Sequence, residues 1–182
     1  MNLKNSITTR TGDQGTTQLF SGETVSKNDL RTDAYGDLDE VVSLLGVARS
    51  LTRDPARAER LLQLQRRLFV VGSELATSLE YSELLGKRVD DTMLAELDRE
   101  REALEARLPV PQGFILPGGT PAAAHLDLAR AVARRCERKT VGLLEAGLLE
   151  NTTLIVWLNR LSDYLWLLAR DEEGGATVLK DG

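Results

Sequence analysis

The sequence predicts an all-α protein: a five-helix bundle preceded by a non-helical N-terminal loop. Three observations carry this. Apolar residues recur at three- and four-residue steps through long segments, which is the spacing of one helix face. Side chains able to cap a helix stand where those segments begin. Prolines fall at segment starts or in a single interrupting loop.

The first two dozen residues include "TTRTGDQGTTQLFSG", rich in Thr and Gly, and read as loop with a short extended piece at "TTQLFS". Asp29 or Asn28 can cap the first helix, where Leu38, Val41, Val42, Leu45 and Ala48 keep helical spacing. Asp54 precedes the second, with Pro55 in its first turn and a seam of Leu61, Leu64, Leu68, Val71 and Leu75. A third, charged and mostly exposed helix runs from about Asp90 to Arg107. "LPVPQGFILPGG" interrupts as loop. Thr120 and Pro121 then start a long helix through about Glu145. The last helix, with Leu154, Leu158, Leu161, Leu165 and Leu168 on its seam and Ile155, Trp157 and Trp166 elsewhere, is expected to be central. Aromatic residues are 4%, so the core is expected to be aliphatic, and the tail "EEGGATVLKDG" reads as weakly structured. Residues 1–182 form one domain: a loop at 1–27, the bundle at about 28–170 and a short tail at 171–182.

Composition removes several functions. A formal net charge of -5 speaks against general nucleic-acid affinity. No apolar run approaches the ~20 residues that span a bilayer, and "MNLKNSITTR" lacks the apolar stretch of a secretory signal. The single Cys136 excludes an internal disulfide and fits a reducing cytoplasm. The single His125 argues against a His-based metal or catalytic cluster, so charge chemistry must use carboxylates, Lys, Arg and backbone groups.

Against that acidic background, "LARAVARRCERK" gathers Arg130, Arg134, Arg135, Arg138 and Lys139. Arg130, Arg134, Glu137 and Arg138 share one helix face, and Arg135 lies about 100° round. Leu126, Ala129, Val132, Ala133 and Cys136 make the helix partly buried, so the arginines need anions. Carboxylates of neighbouring helices and a phosphate ligand both meet that need. In "TRTGDQGTT", glycines would let amides approach a ligand and hydroxyls donate to phosphate, although a flexible arm has the same composition. It is not a Walker A loop. Lys27 could add a charge beside it. Asn159 and Asp163 stand one turn apart among apolar residues, for an interhelical hydrogen bond or a ligand contact, and Arg160 could pair with Asp163. In "YGDLDE", Asp37, Asp39 and Glu40 suit the helix dipole, and Asp39 lies close to the apolar face, where a buried arginine could meet it. Phe114 stands on a loop and would by default join the core, as would Cys136.

Taken in order, "TRTGDQGTTQLFSGETVSK", "RTDAYGDLDEVVSLLG", "FILPGG", "ARAVARRCER" and "LNRLSDYLWLLAR" resemble the PduO-type ATP:cob(I)alamin adenosyltransferases over residues 9–170. The resemblance implies a five-helix bundle assembled as a homotrimer with intersubunit active sites. It also implies a reaction: cob(I)alamin attacks the 5′ carbon of ATP, giving adenosylcobalamin and triphosphate, with Mg²⁺ accompanying the phosphates. By the same resemblance, the ATP contacts are Thr9, Arg10, Thr11, Gly12, Thr17, Gln18, Lys27, Arg134, Arg135, Cys136, Glu137, Arg138 and Asn159. Asp39 matches the carboxylate that pairs across the interface with the arginine matching Arg130. Phe114 matches the aromatic that closes the lower face of the corrin and displaces its lower axial ligand. Further implied partners are a cobalamin reductase and an adenosylcobalamin-dependent enzyme. The sequence departs from the family at Asp127, where a His is common, and in its short C-terminal segment. A non-catalytic carrier or regulator of the same fold is the alternative, and a purely structural helical oligomer a third reading.

Overall fold

Each helix begins where a side chain satisfies amides that would otherwise be free. Asp29 accepts from the Arg31 amide at the head of α1 (Leu30–Leu51), and Asp54 from Ala56 before α2 (Pro55–Leu75). Asp90 accepts from Met93 before α3 (Asp91–Glu105), Thr120 from Ala123 before α4 (Pro121–Glu145), and Asn151 from Thr153 before α5 (Thr152–Glu173). Pro55 and Pro121 occupy first-turn positions, where a missing amide costs little. Gly174 ends α5 at φ 67, a left-handed conformation that glycine adopts freely. The structure is a computed structural model that describes residues 7–109, 111, 113–175 and 177–179.

The five helices form the expected bundle. α4 packs most extensively against α1 and α5, while α2 leans on α1 and α3 on α5. The core takes Leu38, Val41 and Leu45 from α1, Leu64, Leu68 and Val71 from α2, and Leu154, Leu158, Leu161 and Leu165 from α5. It is less aliphatic than composition suggests: Trp157 and Tyr164 are the bulkiest fully buried side chains. Tyr164 keeps its hydroxyl satisfied by donating to Glu100 Oε2 at 2.8 Å, and Arg67 donates to the same carboxylate. On α3, Leu97 and Leu104 are buried, so that mostly exposed helix still has an inner seam. Arg31, at the head of α1, donates to the Leu75 carbonyl at 3.1 Å and to the Leu148 carbonyl, tying the end of α2 and the α4–α5 connection together.

Two short antiparallel ribbons complete the fold. β1 (Thr16–Gln18) pairs with β2 (Thr24–Ser26), so the extended piece expected near "TTQLFS" is half of a hairpin. Ile115–Leu116 forms β3 and Thr177–Val178 forms β4, with Ile115 opposite Val178 and Leu116 opposite Thr177. Residues 177–178 of the tail are therefore more regular than composition suggests, because their backbone pairs with the loop before α4. Among the described residues, no helix is long and apolar enough to cross a membrane.

Candidate functional site

The inner face of α4 places Leu126, Ala129, Val132, Ala133 and Cys136 in the core and so turns the arginines outward or sideways. They divide into two sets. Arg135 Nε lies 3.1 Å from Asp37 Oδ1, and its Nη2 donates to Glu40. Lys139 Nζ lies 2.9 Å from Asp33 and 3.1 Å from Asp37. Burial alone would lower the Lys139 pKa, but the Asp33 and Asp37 carboxylates outweigh it and hold it above the usual value. For Arg135, the hydrogen bond and charge of Asp37 act first and Glu40 adds to them, again raising the pKa. These two cations are structural ion pairs between α1 and α4. Arg134 and Arg138 are different. Both are exposed, Arg138 Nη1 donates to the Arg134 carbonyl at 3.1 Å, and neither meets a carboxylate among the described residues. Arg130 is half-buried, and its buried Nε has no hydrogen-bond partner among the described residues. Asn159 Nδ2 donates to Glu137 Oε1 at 3.1 Å, which links α5 to this stripe.

The N-terminal loop adds Lys27 and Arg10, which meet no carboxylate among the described residues. Gly15 donates to the Gly12 carbonyl at 3.2 Å, and the Lys27 amide donates to the Gly15 carbonyl at 2.8 Å. This folds Lys27 back over Gly12, where a Cβ would stand 3.1 Å from Lys27 Nζ and 3.0 Å from the Thr16 carbonyl. Glycine is what permits that approach. Arg10 holds φ 62, uncommon for a residue with a side chain. The exposed Thr9 and Thr11 hydroxyls are 2.9 Å apart. Thr17 is half-buried and Gln18 exposed on β1. The hairpin is anchored to the end of α2 by the Phe20 amide, which donates to the Ala76 carbonyl at 2.9 Å. Among the described residues, no hydrogen bond or ion pair joins residues 9–27 to the α4 stripe. Phe114 is 85% exposed on the loop leading into α4. Among the described residues, no group of three or more His, Cys, Asp or Glu is placed to hold a metal ion.

The cobalamin adenosyltransferase family matches residues 7–172. The chain belongs to that family. It is 40% identical to the corrinoid adenosyltransferase of Mycobacterium leprae, over 95% of this chain and 94% of that one. It is 38% identical to the corrinoid adenosyltransferase PduO of Citrobacter freundii over 93% of this chain, and spans 50% of that relative's length. A variant of the PduO-type ATP:corrinoid adenosyltransferase of Lactobacillus reuteri, solved with cobalamin and ATP, superposes with TM-score 0.86. That structure is 30% identical, and the match covers 97% of each chain.

Within this cobalamin adenosyltransferase fold, several sequence expectations need correction. Within one subunit Asp39 meets no arginine: it is exposed, and no ion pair reaches it among the described residues. The buried carboxylate of the "YGDLDE" stretch is Asp37, which continues the inner spacing from Ala34 to Val41. That spacing was the available signal. Cys136, grouped with the nucleotide contacts, turns its thiol inward, 3.4 Å from the Ala34 carbonyl, so the side chain cannot touch a surface ligand. Arg135 is likewise engaged by α1. Arg160 pairs with Asp98 at 3.4 Å and leaves Asp163 exposed, because α3 brings a carboxylate closer than its own helix does. Sequence reasoning missed Arg170, which lies 3% exposed against Asp127.

The Cys136 geometry predicts a chemical result. Burial pushes its thiol from the usual 9.0 up to about 12. Iodoacetamide at pH 8 should leave native protein unmodified and alkylate it rapidly in denaturant. The raised pKa adds stability that is complete below about pH 9 and lost as pH rises towards about 12. Rapid native alkylation would contradict the buried placement.

Proposed function

We propose that the protein transfers the 5′-deoxyadenosyl group of ATP to cob(I)alamin. A cobalt–carbon bond forms, the C5′–oxygen bond breaks, and triphosphate leaves with the electron pair. The carrying observation is that Arg134, Arg138 and Lys27 meet no carboxylate among the described residues, in a chain of net charge -5. Such cations suit a polyphosphate whose charge grows as the bond breaks. Mg²⁺ enters with the triphosphate, and the cobalt supplies the nucleophile, so no general base is needed. Thr9, Arg10, Thr11, Gly12, Thr17, Gln18 and Lys27 hold one side of the ATP. Arg134 and Arg138 hold the phosphates, with Asn159 and Glu137 beside them. Phe114, free of core packing, closes the lower face of the corrin.

Among the described residues, the cation sets on the N-terminal loop and on α4 are not joined within one chain. This supports a homotrimer in which one subunit's loop completes its neighbour's site. A groove of about 410 Å³ between α1 and α2 supports the same reading. It is lined by Phe20, Tyr35, Val42 and Phe69, with Asp39 on its wall. Phe69 is 71% exposed and Phe20 66%, and a neighbouring subunit seated on this groove would cover both. The cytoplasm is the compartment this reading requires, with a cobalamin reductase upstream and an adenosylcobalamin-dependent enzyme downstream.

The test mixes the protein with ATP, Mg²⁺ and chemically reduced cobalamin and follows the corrin spectrum. The adenosylcobalamin spectrum should appear with one triphosphate per product. A carrier of the same fold would bind both ligands without that change, which would defeat the catalytic reading.

A further inference from the structure

Asp127, on α4, is 6% exposed. Arg170 Nη2 donates to its Oδ2 at 2.6 Å and reaches Glu173 Oε1 at 3.1 Å. Arg170 Nε lies 2.9 Å from Glu173 Oε2, and the guanidinium rests 5.5 Å from the Trp166 ring centre. The arginine is thus fixed by two carboxylates and an aromatic face. Glu173, with its side chain 5% exposed, also reaches the loop before α4, where its Oε1 accepts from the Gly119 amide at 2.9 Å. Gly119 fits so closely that a Cβ there would stand 2.9 Å from Glu173 Cγ. Downstream, the Leu179 amide donates to the Phe114 carbonyl at 2.7 Å, beside the β3–β4 pairing. The end of α5 and the strand after it therefore hold the Phe114 loop at both ends.

We infer that Asp127, Arg170 and Glu173 form a buried latch that positions the Phe114 loop for the corrin, Glu173 being its contact with the loop. They are positioning residues. Arg170 fixes the Glu173 carboxylate, the carboxylate fixes Gly119, and Leu179, just past β4, fixes Phe114. Arg130 Nε lies 4.0 Å from Asp127, so the latch abuts the arginine stripe without using Arg134 or Arg138. The kinetic part of this inference rests on the adenosyltransferase reading, and the structural part does not.

The test compares Glu173→Ala with Glu173→Gln, whose amide oxygen can still accept from Gly119. In the ligand-free protein, hydrogen exchange of the 113–119 segment should quicken by about tenfold in Glu173→Ala, since hydrogen bonds to charged groups contribute at least that factor. Glu173→Gln should restore most of the protection. In turnover, Glu173→Ala should raise the KM for cob(I)alamin several-fold and leave the KM for ATP unchanged. Gly119→Ala, which displaces the carboxylate, should reproduce both effects. Unchanged exchange at 113–119 would overturn the latch, as would equal acceleration throughout the chain or an equal rise in both KM values. If the wild-type protein shows no adenosylation, the functional reading fails and the exchange arm still decides the latch.

Discussion

Arg134→Lys should lower the rate of adenosylcobalamin formation by about 10²–10³-fold, the loss seen when one preorganised donor to a developing anion is removed. Lysine keeps the charge and loses the planar fork that binds two phosphate oxygens at once. Arg134 is exposed and unpaired within the described chain, so the variant should fold and melt like the wild type. Saturating ATP should not restore the rate, because the missing interaction strengthens as the C5′–oxygen bond breaks. Rates of adenosylation and thermal melting, measured on the same preparations, check both halves. A normal rate in Arg134→Lys would show that this residue does not recognise phosphate through its fork.

Asp39→Ala and Arg130→Ala should each weaken the proposed trimer and slow turnover, and the double variant should lose less than the sum. Among the described residues, neither finds a full partner within its own chain. Asp39 is exposed beside the apolar α1–α2 groove, and Arg130 carries a buried Nε with no hydrogen-bond partner among the described residues. Pairing across a ring of subunits satisfies both, since a head-to-tail contact puts different surfaces together. Breaking a buried ion pair costs about 3–5 kcal/mol, and each 1.4 kcal/mol is about tenfold in association. Sedimentation should therefore show single variants dissociating at concentrations where the wild type stays assembled. Additive losses in the double variant would refute the pairing. A wild-type protein that sediments as a monomer at micromolar concentration would remove the interface itself.

Much of this architecture was legible along the chain. Asp29, Asp54 and Thr120 mark helix starts, and each caps the helix expected of it. The leucine seams of α2 and α5 are buried as their spacing requires. The arginine cluster was legible as a cluster, but not the division of labour within it. Helical spacing reports direction around one axis, and Arg134 and Arg135 differ there by about 100°. Which direction meets acids depends on where α1 lies.

Periodicity, caps and breakers are local, because backbone hydrogen bonding and side-chain direction repeat within a turn or two. They suffice for the five helices, for the loop character of the N-terminal segment, and for the family to which the ordered motifs belong. Ionic partnership is not local. Asp37 in place of Asp39 as the buried acid, Asp98 in place of Asp163 as the partner of Arg160, and the Asp127–Arg170 pair all join residues on different helices. A charged side chain settles where desolvation is offset by a counter-charge. That offset exists only once packing has brought the counter-charge within reach.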